Sequence, residues 1–159
     1  MNQQADMWGT YTIEQNEAHI LKLAEQIQRR RLERVGKISD PRVAGDYVKA
    51  HCANLEHEIF GVLFLDTRHE ILAIVDMFRG TVDGASVYPR EVAKEALKHN
   101  AAACIFFHNH PSGNPTPSGA DKLITKQLKD ALALFEIRVL DHLIAGGTEV
   151  TSMAAQGLM

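Results

Sequence analysis

His108-Asn109-His110-Pro111-Ser112-Gly113-Asn114-Pro115-Thr116-Pro117-Ser118-Gly119-Ala120-Asp121 follows directly on an apolar run, Ala101 to Phe107. The run reads as a short buried strand bounded by turn chemistry. Side chains alternate faces along a strand, so His108 and His110 point the same way. Pro111 holds His110 in an extended conformation and preserves that geometry to the strand end. Thr116-Pro117 reads as a helix start, with threonine at the N-cap and proline at the first helical position. Ser118 and Asp121, three apart, then share a helix face. Two imidazoles and a carboxylate thus meet at a strand-to-helix junction. Three ligands with a fourth position left for water make a catalytic rather than a structural zinc site. Each fragment also has a structural reading: Ser118-x-x-Asp121 matches a capping box, and paired histidines can be satisfied polar groups at a strand end. The metal reading rests on their joint occurrence.

Outward from this stretch, the chain has 159 residues, enough for one compact core and too few for two ordinary domains. It is 45% hydrophobic and 23% charged with a formal net charge of −3, the composition of a globular protein with no overall bias towards nucleic acid or a membrane. The apolar runs are far shorter than a membrane span. The first basic residue is Lys22, so no secretory signal is expected. Cys52 and Cys104 form no Cys-x-x-Cys pair, and a reduced, cytoplasmic setting is expected.

Thr12 to about Val35 reads as a helix, with Ile13, Ile20, Leu21, Leu23, Ala24, Ile27 and Leu32 at broadly helical spacing, Thr12-x-x-Gln15 as a capping box and Gly36 as C-cap. Its end carries Arg29, Arg30, Arg31 and Arg34. These are a candidate phosphate-binding patch, although the helix dipole alone favours positive charge there. A second helix runs from Asp40-Pro41 to about Asn54 with Val43, Ala44, Tyr47, Val48 and His51 on or near one stripe. Glu58 to Asp66 reads as a central strand, Asp66 to His69 as a turn, and Glu70 to Phe78 as the antiparallel partner. A loop follows. Pro89 to about Asn100 is a helix facing the core through Val92, Ala93, Ala96 and Leu97. After the motif come a helix to about Leu134, a strand from Ile137 to Ala145 and a short strand from Glu149 to Ser152. The expected class is α/β, a mixed sheet flanked by helices.

His-x-His, seven residues, Ser, two residues, Asp resembles the signature of the JAMM (JAB/MPN) metallopeptidases. His108-Asn109-His110-Pro111-Ser112-Gly113 with Pro117-Ser118 and Asp121 is similar to the RadC branch of that superfamily. His57 to Asp66, Phe78-Arg79-Gly80-Thr81, Pro89-Arg90-Glu91-Val92 and Leu140 to Ile144 also look like family segments, so the resemblance extends over about Ile38 to Leu158. It implies an MPN/JAB1 (cytidine-deaminase-like) domain over residues 38–159, preceded by a helical segment, residues 1–37. Full-length RadC proteins carry helix-hairpin-helix character in their N-terminal region, and here a plain amphipathic helix stands in its place.

The resemblance further implies one zinc per chain on His108, His110 and Asp121. Glu58 would act as the base beside the open position, where periodicity alone does not choose it over Glu56. Ser118 would stabilise the oxyanion. The implied reaction is hydrolysis of a peptide or isopeptide amide in a protein or peptide substrate. Asp141-His142 is a candidate partner for a ligand histidine, because metal-bound imidazoles donate their other N–H to an acceptor; the alternative is a paired polar group within the sheet. Cys104 shares strand parity with His108 and is expected to be a buried, inert thiol. Two other function classes remain. One is a DNA repair-associated nucleic-acid-binding or nuclease protein, carried by the family's repair association and the arginines. The other is a catalytically idle MPN scaffold. His108-Asn109-His110 is not an HNH nuclease motif, which disperses its residues, and a zinc deaminase lacks its Pro-Cys-x-x-Cys.

Overall fold

The computed structural model describes residues 13–35, 37, 38, 40–80 and 86–159, with the side chains of 13–15 and 31–35 outside the description. The elements in chain order are α1 (Ile13–Val35), α2 (Pro41–Cys52), β1 (Ile59–Leu65), β2 (Ile71–Arg79), α3 (Pro89–Lys98), β3 (Ala103–Asn109), α4 (Gly119–Ala133), β4 (Arg138–Gly146) and β5 (Glu149–Ser152). The strands form one sheet in the order β2-β1-β3-β4-β5. Only the β3–β4 pair is parallel among these, as the expected mixed sheet requires. The Thr12 capping box and the Gly36 C-cap lie outside the described residues.

Local chemistry explains most boundaries. The Asp40 side chain caps α2 by accepting the Arg42 N–H at 2.9 Å, with proline at the first helical position. Asp66 Oδ1 accepts the N–H groups of Arg68 and Glu70 and closes the β1–β2 turn, where His69 takes a left-handed φ of 66°. α4 starts later than Thr116-Pro117 suggests. Its N-cap is Ser118, and the Thr116 N–H is taken by Asn114 Oδ1 at 3.0 Å. Ser118 wins because it forms a reciprocal capping box with Asp121 that satisfies two otherwise unpaired donors.

The sheet is covered on both faces. α2 packs on one face through Ala44, Tyr47, Val48 and Cys52, against Ile59, Leu63 and Leu65 of β1 and Ala103, Ile105 and Phe107 of β3. On the other face α3 and α4 bury Val92, Ala93, Ala96, Leu128 and Leu132 against Phe60, Val62, Phe64, Cys104 and Phe106. Leu97, expected in the core, is 48% exposed. Cys104 is fully buried, and burial pushes its thiol pKa up, the inert state expected of it. Among the described residues no helix is long and apolar enough to cross a membrane.

α1 lies along α2, with Leu21 and Ala24 half-buried while Ile20, Leu23 and Ile27 face outward. His51 of α2 ties this helix to the sheet: Nδ1 contacts Glu25 Oε1 of α1 at 2.8 Å and Nε2 contacts Asp76 of β2 at 2.9 Å. Burial pulls the His51 pKa down, and the hydrogen bonds and charges of Asp76 and Glu25 raise it by more. A raised folded-state value stabilises the fold fully below the ordinary imidazole value of about 6.5, and the contribution is lost as pH rises through the folded value. Amide-exchange protection of α1 is therefore expected to fall across that range, and His51→Gln should flatten the dependence. Protection that ignores pH in the unaltered chain would remove this ion pair as the clamp.

Gly61 sits inside β1, opposite Phe107 of β3. A Cβ there would lie 2.1 Å from the tip of the Phe107 ring, which is itself fully buried. The entropic cost of a strand glycine is thus offset by room for an aromatic ring. Gly61→Ala should lower the unfolding free energy by about 1–3 kcal/mol through overpacking. Adding Phe107→Leu should relieve part of that loss, giving non-additive changes in a urea-denaturation cycle.

Candidate metal centre

A parallel strand pair needs a crossover, and α4 is the crossover from β3 to β4. The loop between the carboxyl end of β3 and the start of α4 therefore brings residues 108–110 and 118–121 together. Gly146 of β4 makes room for that loop, since a Cβ there would meet the backbone of Asn114 and Pro115 at 2.5–2.6 Å. His110 continues the strand direction, its N–H bonded to the Ala145 carbonyl at 2.8 Å.

One ligand-type atom each from His108, His110 and Asp121 lies within 4.8 Å of the others, a group that could hold a metal ion. The two Nε2 atoms are 2.9 Å apart, Asp121 Oδ1 is 3.1 Å from His108 Nε2, and Asp121 Oδ2 is 3.3 Å from His110 Nε2. Ligand atoms at about 2.0–2.1 Å from a tetrahedral zinc stand roughly 3.3 Å from one another, so the triangle fits such an ion with small adjustment. The protonation pattern fits as well. His110 Nδ1 lies 2.8 Å from the Asn114 carbonyl, which only accepts. In the neutral ring the proton is therefore on Nδ1, and a bare Nε2 lone pair faces a carboxylate. That arrangement calls for a positive charge between them, a proton or a metal.

The electrostatics agree. Burial alone would raise the Asp121 pKa, but the His108 and His110 rings facing the carboxylate, with the charge His108 can carry and the Ser118 hydroxyl, hold it far below the carboxylate range. The hydrogen bond to Asp121 raises the His110 pKa against burial, helped by the Asn114 carbonyl and by the charges of Asp121 and Glu58. Exposure runs from 2% for the His108 side chain to 17% for His110, so the triangle opens to solvent on the His110 side.

Glu58 directly precedes β1. The antiparallel register pairs Phe60 with His108, and its continuation places Glu58 opposite His110, with side chains on the same face. Glu58 is half-buried while Glu56 is exposed, and the Glu58 charge acts on His110. Asn109, given no role of its own in the sequence reading, fixes this segment. Its buried Oδ1 accepts the Ile59 N–H at 2.8 Å and its Nδ2 donates to the His57 carbonyl at 3.0 Å, on either side of Glu58. Ser118 stands beside the triangle, but its hydroxyl donates to Asp121 Oδ2 at 2.6 Å within the capping box.

The Asp141-His142 pair divides between the two faces. His142 Nε2 is 2.7 Å from His108 Nδ1 and its Nδ1 is 2.6 Å from Thr125 Oγ1, which donates to the Asp121 carbonyl. Burial first, then the nearby His108, pulls the His142 pKa well down, so this ring is neutral. Asp141 is not a partner of the triangle. Its carboxylate accepts from the His142 and Ala154 N–H groups and the Ser152 hydroxyl, the paired-polar role within the sheet. Thr125 was invisible to the motif; its only sequence signal is its place one helical turn after Asp121. Arg29 and Arg30 are exposed on α1, which contributes no residue to the triangle, and the side chains of Arg31 and Arg34 lie outside the described residues.

Comparison with known proteins adds a family-level likeness. Residues 38–158 match the family described as "RadC-like JAB domain". A "UPF0758 protein" of Ectopseudomonas mendocina is 51% identical over 140 residues, 88% of this chain and 62% of that protein. One of Azotobacter vinelandii is 52% identical over 138 residues, 87% of this chain and 62% of its own length. One of Vibrio cholerae is 52% identical over 141 residues, 89% of each chain. This chain thus spans about three fifths of the length of the first two relatives and most of the third.

The capping box makes one prediction independent of any metal. In chelated protein, Ser118→Ala should lower the unfolding free energy by about 1 kcal/mol, the usual cost of a lost cap. An unchanged urea midpoint would mean that the box does not hold the start of α4.

Proposed function

Because this chain belongs to the family of RadC-like JAB domains, we propose that it is a zinc-dependent hydrolase of peptide or isopeptide amide bonds in a protein or peptide substrate. The observation that carries this reading is the convergence of His108 Nε2, His110 Nε2 and the ionised Asp121 carboxylate, with the Glu58 charge acting on His110. Nitrogen, nitrogen and oxygen donors open on one side suit catalytic zinc. When bound, zinc supplies Lewis acidity that acidifies water and polarises a carbonyl.

The rest of the reaction falls to the chain's own residues. Glu58, on the open His110 side and held by the Asn109 clamp, takes the proton from attacking water and returns it to the leaving amine. Ser118 has a double part. Its hydroxyl orients Asp121 in the resting site, and turned away from Oδ2 the same hydroxyl is the donor for a developing oxyanion. A reducing, cytoplasmic setting suits the two buried thiols, of which Cys52 is pushed up to about 12 by burial.

Purified protein is expected to hold about one zinc per chain, lost in the His108→Ala, His110→Ala and Asp121→Ala variants and weaker in acid as protons compete for His110 Nε2. Glu58→Gln should keep the zinc while amide hydrolysis falls by roughly two to four orders of magnitude. Metal analysis and an amidase screen on both forms decide the matter: an apo protein from unchelated buffer, or a Glu58→Gln form as fast as the original, would defeat the proposal. Metal-dependent cleavage of DNA by the same preparation would move the activity to nucleic acid.

A further inference from the structure

We infer that Thr125 and His142 are positioning residues that select which nitrogen of His108 faces the metal, and so decide whether His108 can be a ligand. The inference rests on the reading of the triangle as a metal centre. It follows from the directions of three hydrogen bonds among buried groups: His142 and Thr125 are at most 1% exposed and His108 is 2% exposed.

The chain of bonds starts at the Asp121 carbonyl, which can only accept. The Thr125 hydroxyl has one proton and commits it there, at 2.5 Å, in preference to the weakly accepting Met153 sulfur 3.7 Å away. Its oxygen then accepts from His142 Nδ1 at 2.6 Å. A neutral imidazole carries one N–H, so His142 Nε2 is an acceptor. It lies 2.7 Å from His108 Nδ1, which must therefore carry the His108 proton. His108 Nε2 is left bare, facing His110 and Asp121.

Reversing the first bond reverses all of them. If the Thr125 proton turned to His142, then His142 Nε2 would donate, His108 Nδ1 would accept, and the His108 proton would sit on Nε2 inside the triangle. A protonated nitrogen cannot ligate. The ring packing holds His142 in place for this task, with Phe60 and Phe106 edge-on at centroid distances of 5.6 and 5.7 Å. Because the bonds begin and end on proposed ligands, they also join β3 to α4 through β4 and tie His108 to Asp121.

The test uses the full chain. Long-range nitrogen–proton NMR of the metal-free protein reads the imidazole tautomers, and chelator competition reads zinc affinity. The unaltered chain is expected to show His108 protonated on Nδ1. Thr125→Val, which keeps the shape and removes the hydroxyl, should mix the His108 tautomers and weaken zinc binding about 10–100-fold, the usual effect of losing such a partner. Thr125→Ser should restore both. His108 protonated on Nε2 in the unaltered chain would overturn the inference without need of any variant, so a Thr125→Val chain that fails to fold does not shield it. A Thr125→Val chain with unchanged tautomer and affinity would overturn it while leaving the metal site standing. An unaltered chain that binds no zinc would bring down the metal reading, and this inference with it.

Discussion

The antiparallel register between β1 and β3 is the constraint on which the site depends. Phe60 pairs with His108, and continuing that register puts Glu58 level with His110. A slip of one residue would send Glu58 to the α2 side of the sheet and leave the histidines without it. Two neighbours resist that slip. Gly61 lies opposite the buried Phe107 ring, where any other residue brings a Cβ into the aromatic carbons. Asn109 then carries the ladder past its end, replacing backbone partners with a side-chain amide that bonds both sides of Glu58. Core packing on one face thereby bears on where Glu58 stands on the other.

Much of this was legible because the signals were local. A short apolar strand, a proline-bounded loop and a helix with an acidic first turn identify the junction, and strand parity gives the two histidines one direction. The two hairpins and the α2 cap rest on equally local chemistry. What escaped is what pairing decides. Parity says that Asp141 and His142 point to opposite faces, but only the β3–β4 pairing shows that His142 is the one beside His108. Thr125 needs α4 folded back over β4 before it meets anything. Thr116 and Ser118 are both good caps, and the choice turned on reciprocity with Asp121, a matter of geometry more than residue type. Periodicity found α1 but did not say which apolar positions meet α2, and Ile20, Leu23 and Ile27 turned out to face away.

The electrostatics of the junction favour order before any ion arrives. One carboxylate accepts the Ser118 N–H and hydroxyl on Oδ2 and faces both imidazoles. Since burial opposes its charge, those partners are what keep it ionised, and ionisation is what a metal requires of it. Preparing the site and starting the helix are therefore largely the same set of bonds.

That sharing bears on how such a domain can decay. Glu58 lies just before β1 and takes no part in the capping box. Asp121 belongs to the capping box as well as to the triangle, so replacing it would weaken the start of α4 whether or not a metal is bound. An intact triangle in some other chain is thus no proof of turnover, because helix capping alone is a reason to keep its aspartate.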